Sequence, residues 1–304
     1  MPRLANEEKW GVMDPENQTL ILKDGRTFGY AEYGVSTGSP VFHFHGSGSS
    51  RLEKPASENI LIRLDIRFIS VDRPGHGLSD YQPERRLMDW PKDIMQLADH
   101  LGLEKFYVSG HSAGGPYALA CAHELPGRII AGAAISSVAP MSRPRAYDGM
   151  PILNQILARS ARKLPWLTHL ARKITRGMIL QDVEKASKQL MASLPDSDKE
   201  TLYKPEHIEN MVHSIQEGFR QGSDGVAHDD ILVNNEWGFE LTSIKPRIDI
   251  WHGELDVNVP IHAAYYLHEQ IPNNRLFDLQ DMGHFFILNC WEDVLSELID
   301  PFHN

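Results

Sequence analysis

The chain reads as an α/β protein: a mostly parallel sheet covered on both faces, with a long helical segment interrupting it. Three observations predict this. Short β-prone runs alternate with helix-period segments on both sides of the chain's middle. Residues 106–120 pass from an apolar strand through a glycine-rich turn into an alanine-rich helix. Residues 139–237 keep helical periodicity with no convincing strand.

The sheet starts with a hairpin. Residues 19–22 and 27–33 flank Lys23-Asp24-Gly25-Arg26, where Asp-Gly is a turn signal, so an antiparallel start is expected. Residues 40–45 form the next strand, ending in His45-Gly46-Ser47-Gly48-Ser49-Ser50, small residues whose backbone can approach a ligand closely. A helix over 52–64 precedes a strand over 66–72, closed by Arg73-Pro74-Gly75-His76-Gly77. Between 88 and 101, Ile94, Leu97, Ala98 and Leu101 share a helix face and lead into the strand at 106. A helix beginning at Ser112 is followed by an apolar strand over 129–138. The alternation resumes at 244, with strands over 246–251 and 275–279 and helices over 262–270 and 285–299.

With 304 residues the chain accommodates one α/β core domain, 1–138 with 238–304, and a helical insertion over 139–237. The net charge of −11 argues against general nucleic-acid binding, which needs a basic footprint. Cys121 and Cys290 lie far apart in apolar helical contexts and read as free thiols, compatible with a reducing compartment. Residues 1–18 are polar, with no apolar core of signal-peptide type, and no later stretch approaches a membrane span. A soluble cytoplasmic protein is therefore expected. Within the insertion, Arg143, Arg145, Arg159, Arg162, Lys163, Arg172, Lys173 and Arg176 face Asp148 alone, a basic stretch in an acidic chain. It reads as a solvated helix face or as a surface for an anionic substrate or membrane.

Chemistry concentrates at three points. Ser112 sits in Gly110-His111-Ser112-Ala113-Gly114, at the tip of a strand-to-helix turn where the two glycines remove side chains that would collide. A serine hydroxyl needs a base to take its proton, and the base needs a third group to hold its tautomer. Asp256 follows the strand ending near Trp251, and His284 follows the last strand. Both then project from the carboxyl edge of a parallel sheet, where the Ser112 turn also lies and where such sheets bind ligands.

In that order, Ser112, Asp256 and His284 resemble the nucleophile, acid and base of the α/β-hydrolase superfamily, and the likeness covers nearly the whole chain outside the insertion. The resemblance implies an eight-stranded, mostly parallel sheet with a helical cap, 139–237, inserted after strand six. It further implies that His45-Gly46 opens an oxyanion loop, with the backbone N–H groups of Ser47 and Ala113 as donors. The activity implied is that of a cofactor-free serine hydrolase cleaving small carboxylic esters through an acyl-enzyme. Serine at the nucleophile position separates the chain from haloalkane dehalogenases and epoxide hydrolases, which use aspartate there.

Other readings stay open. Glu254 is a rival acid, although the family position matches Asp256. Asp72, His76 and His111 read as scaffold. His45-Gly46-Ser47-Gly48 is similar to the loop of carbon–carbon bond hydrolases, with Ser49 where those have proline; lactonase, amidase or aminopeptidase activity, or a non-enzymatic small-molecule receptor, would use the same scaffold. No His, Cys and carboxylate grouping has metal-ligand spacing, and no phosphate loop is present, so neither metal nor nucleotide cofactor is expected. Met141, Met150, Trp166, Met178, Met191, Tyr203, Met211 and Phe219 could line an apolar acyl pocket or simply form core, and Trp237 and Phe239 are equally ambiguous.

Overall fold

The Asp24-Gly25 turn closes a hairpin in the computed structural model, which describes residues 15–182, 191–192 and 194–300. Strands β1 (Gln18–Ile21) and β2 (Thr27–Gly34) pair antiparallel, with Leu20 opposite Phe28. The remaining strands are β3 (Ser39–Phe44), β4 (Ile66–Val71), β5 (Phe106–His111), β6 (Ile129–Ile135), β7 (Arg247–Gly253) and β8 (Asn274–Leu279). They form one eight-stranded sheet in the order β1-β2-β4-β3-β5-β6-β7-β8. Pairing is antiparallel at β1-β2 and β2-β4 and parallel from β4 to β8. The expected mostly parallel sheet is present.

The described helices are α1 (Asn59–Arg63), α2 (Trp90–His100), α3 (Gly115–Glu124), α4 (Ile152–Lys163), α5 (Pro165–Gln181), α6 (Asp196–Leu202), α7 (Pro205–Gly218), α8 (Asp224–Asn234), α9 (His262–Gln270) and α10 (Ile287–Ile299). Successive strand residues point to opposite faces. Phe42, Ile69 and Val108 pack with Leu97 of α2, Leu119 of α3 and Leu267 of α9. Val41, Phe68 and Tyr107 pack on the other face with Leu61 of α1 and Trp291 and Leu295 of α10. Helices α4 to α8 all fall between β6 and β7, and no strand occurs there among the described residues.

Three boundaries differ from the sequence expectation by three residues or more. The helix expected over 52–64 is confined to α1, because Pro55 lacks an N–H and disfavours helical backbone at Lys54 before it, whose ammonium donates to Glu16. The strand expected to reach 138 stops at Ile135, since Ser136 takes φ 45° and leaves extended geometry. Ser112–Gly114 form a 3₁₀ turn, and the α-helix starts only at Gly115. Both cysteines are free thiols, Cys121 buried and Cys290 partly so. No helix among the described residues is long and apolar enough to cross a membrane. Residues 1–14, most of the polar lead, and residues 183–190 of the insertion lie outside the described residues.

Candidate active site

Ser112 opens the 3₁₀ turn directly after β5 with φ 53°, left-handed backbone that costs a non-glycine residue about 1–3 kcal/mol and exposes its side chain at the sheet's edge. Its flanking glycines leave no room for substitution. A Cβ on Gly110 would lie 2.3 Å from the Gly114 carbonyl oxygen, and one on Gly114 would lie 2.0 Å from that of Phe44. A side chain at either position would collide with backbone.

Past β8, residue 284 returns to this edge. His284 Nε2 lies 3.1 Å from Ser112 Oγ, and its Nδ1 lies 2.6 Å from Asp256 Oδ2. An ionised carboxylate only accepts, so Nδ1 carries the proton and Nε2 is left to accept from the serine hydroxyl. The second Asp256 oxygen accepts the N–H groups of Asn258 and Val259, each at 2.8 Å. Burial alone would raise the Asp256 carboxyl, but the charge of His284 and hydrogen bonds from His252 and His284 outweigh it and hold it well below the ordinary range. Glu254 is exposed on the same loop, so the geometry brings together Asp256, not its rival.

The loop after β3 lies beside Ser112. Gly46, Ser47 and Ala113 border one cavity with Ser112 and His284. Glu53, a residue that sequence reasoning passed over, accepts the Gly46 N–H at 3.0 Å and a hydrogen bond from His111 Nδ1 at 2.9 Å. The His111 ring in turn lies 5.2 Å from that of His284. The Ser47 hydroxyl donates to Asp230 of α8 at 2.8 Å, and Arg172 of α5 pairs with Asp230 at 2.5 Å. Asp72 and His76 serve the scaffold. Asp72 accepts the Arg51 and Leu78 N–H groups, and His76 is fully buried against His45.

The cavity is about 410 Å³ and runs from Ser112 up between α4, α5, α7 and α8. Of the candidate acyl-pocket residues, Met141, Met150 and Met211 line it. Trp166, Met178 and Tyr203 are exposed instead, and Phe219 belongs to a small core with Ile179 and Val226. Trp237 joins the main core, and Phe239 stacks on His123. The basic stretch divides. Arg145 pairs with Asp148 and Arg172 with Asp230, while Arg162 and Arg176 donate to the carbonyls of Met141 and Phe219. Arg143 is buried on carbonyls and the Met141 sulfur, and burial pushes its guanidinium down to about 10.

Asp198 of α6 was also invisible in the sequence. It is fully buried against the His284 loop, where its Oδ1 accepts the Phe285 N–H at 2.8 Å. A Cβ on Gly283 would lie 2.3 Å from that oxygen, which explains glycine before His284. Burial pushes the Asp198 carboxyl up. Among the described residues no group of His, Cys, Asp and Glu is arranged to hold a metal ion.

A sheet of this order, with a left-handed serine at the end of β5 and an aspartate and histidine after β7 and β8, defines a hydrolase scaffold. Residues 40–289 match the family model described as alpha/beta hydrolase fold, and the chain belongs to that family. It is 26% identical over 255 residues to a 2-hydroxy-6-oxononadienedioate/2-hydroxy-6-oxononatrienedioate hydrolase of Pseudomonas putida, covering 81% of this chain and 80% of that one. It is 28% identical over 189 residues to the dihydrolipoyllysine-residue acetyltransferase component of the acetoin cleaving system of Pseudomonas putida, spanning 58% of this chain and only half of that protein. An esterase from Exiguobacterium antarcticum shares the fold, with a TM-score of 0.67 at 22% identity over 93% of this chain and 98% of that one.

Proposed function

We propose that this protein is a cofactor-free serine hydrolase of carboxylic esters, with residues 139–237 acting as a helical cap over the core formed by 1–138 and 238–304. The observation that carries this reading is the unbroken path from Ser112 Oγ through His284 to Asp256, at 3.1 Å and 2.6 Å, opening on a cavity with methionine and alanine walls. Ser112 attacks the carbonyl while His284 takes its proton. The amides of Ser47 and Ala113 receive the oxyanion, and the imidazolium, held by Asp256, gives its proton to the leaving alcohol. Water, activated by the same imidazole, then releases the acid. Replacing Ser112 by Ala should lower ester turnover at least ~10³-fold with the fold retained and abolish labelling by a fluorophosphonate. A mutant with near-native turnover would remove Ser112 from the chemistry.

One observation favours a second reading, carbon–carbon bond hydrolysis. The Pseudomonas putida relative that matches four-fifths of the chain is a hydrolase of oxononadienedioates. A panel of p-nitrophenyl esters against a vinylogous diketone separates the two by kcat/KM.

A further inference from the structure

The helical hairpin α4–α5 has two different faces. Its inner face walls the cavity through Ala158 and Ala161 of α4 and Thr168 and Arg172 of α5. Its outer face is apolar and is covered by none of the described residues. Ten of the seventeen large apolar side chains exposed among the described residues fall between 152 and 180, and nine of them, all but the cavity-lining Leu157, are off the cavity wall, including Ile152 at 77%, Trp166 at 63% and Ile174 at 56%. These residues are patterned. Ile152, Ile156, Arg159 and Lys163 follow one another at i, i+4, i+7 and i+11 along α4. Trp166, Leu170, Lys173 and Leu180 do the same along α5 at i, i+4, i+7 and i+14. Cations therefore alternate with apolar groups on the solvent side of both helices. Arg159, Lys163 and Lys173 are exposed and have no carboxylate partner among the described residues.

No Asp or Glu occurs from Gly149 to Gln181, in a chain whose net charge is −11. That segregation is what selects the occupant. A symmetric contact with a second copy would press two cationic faces together. A negatively charged lipid surface, by contrast, would repel most of this molecule and attract this one face, and an apolar, tryptophan-bearing stripe with interleaved Lys and Arg has the chemistry of interfacial binding. We propose that the outer face of α4–α5 docks peripherally on anionic phospholipid membranes, placing the cavity one helix thickness from the bilayer. Docking of this kind does not depend on the ester-hydrolase reading, since it needs no turnover.

The test is co-sedimentation of the full chain with vesicles of phosphatidylcholine alone and of phosphatidylcholine mixed with phosphatidylglycerol, with turnover of a water-soluble ester measured in parallel. The protein should bind the mixed vesicles, leave them as salt is raised, and ignore the neutral ones. Lys163→Glu with Lys173→Glu should weaken binding at least ~10-fold, and Trp166→Ser with Ile174→Ser by a similar factor, while soluble-ester turnover stays at the wild-type level. Absence of binding to the mixed vesicles, or binding that neither double variant weakens, would overturn the proposal. A dimer in solution that Trp166→Ser with Ile174→Ser dissolves, without vesicle binding, would also overturn it and assign the face to a second copy. Ser112→Ala protein should bind like wild type, which keeps this result separate from the fate of the catalytic reading.

Discussion

Glu53 accepts a hydrogen bond from His111 Nδ1 at 2.9 Å, and through its other oxygen it holds the Gly46 N–H, so one carboxylate joins the loop after β3 to the residue preceding Ser112. Burial alone would raise Glu53 and lower His111, yet their mutual attraction, joined at Glu53 by His43, outweighs it, holding the carboxyl well below its ordinary value and the imidazole above its own. A depressed carboxylate contributes stability above its unfolded pKa, about 4.3, and loses it as pH falls through the folded value. A raised imidazole contributes fully below its unfolded pKa, about 6.5, and loses that contribution as pH rises through the folded value. The pair is therefore worth most between about pH 4.3 and 6.5. Urea unfolding should show Glu53→Gln costing about 3 kcal/mol near the middle of that window and less at alkaline pH. Equal losses at both pH values would mean that the charge pair contributes nothing.

Asp256 is held ionised, so protonation of this carboxylate does not set the acid limb of the pH–rate profile in the mildly acidic range. Asp256→Asn should cost about 10⁴-fold in kcat by favouring the wrong imidazole tautomer. Glu254→Gln, on an exposed side chain, should leave the rate within about twofold of wild type. Steady-state kinetics on the two variants decides the acid, and the reverse ranking would reassign it.

Ser47 offers a separation of side chain from backbone. Ser47→Ala keeps the N–H and loses only the hydroxyl contacts to Asp230 and Arg172, so kcat should fall less than about tenfold. Ser47→Pro removes the N–H itself and should cost about 10²–10³-fold in kcat. Thermal melts of both proteins identify any contribution from unfolding, and equal kcat values in folded proteins would take the Ser47 amide out of the oxyanion site.

Gly114→Ala should leave little folded protein, because its Cβ would sit 2.0 Å from the Phe44 carbonyl oxygen, backbone that has no way to yield. Gly127→Ala has open space around its Cβ and should change stability by less than about 1 kcal/mol. Comparing soluble yield and melting temperature for the pair tests whether the turn is sterically closed.

Ser112, Asp256 and His284 were legible because each follows a strand and is set off by turn residues, a local pattern that survives without knowing any contact. The sheet was legible for the same reason, since strand periodicity is written in adjacent residues. Glu53 was not: its partners Gly46, His43 and His111 are 7, 10 and 58 residues away, and it fell inside a stretch read as helix. Asp198 and Asp230 were hidden by distance too, as their contacts to Phe285 and Ser47 span 87 and 183 residues. The cavity-lining residues were legible only in part, because helical spacing alone does not say which face of α5 points inward: Thr168 and Arg172 line the cavity, and Trp166 on the same helix is exposed.

The serine and imidazole that meet at 3.1 Å are separated by 172 residues of chain. During synthesis, a polypeptide released anywhere before the last strand lacks its base, however well its earlier strands have formed. On the proposed chemistry, a ribosome produces an inert product until it has passed residue 284, and any premature stop ahead of that residue yields a silent fragment rather than an unregulated one.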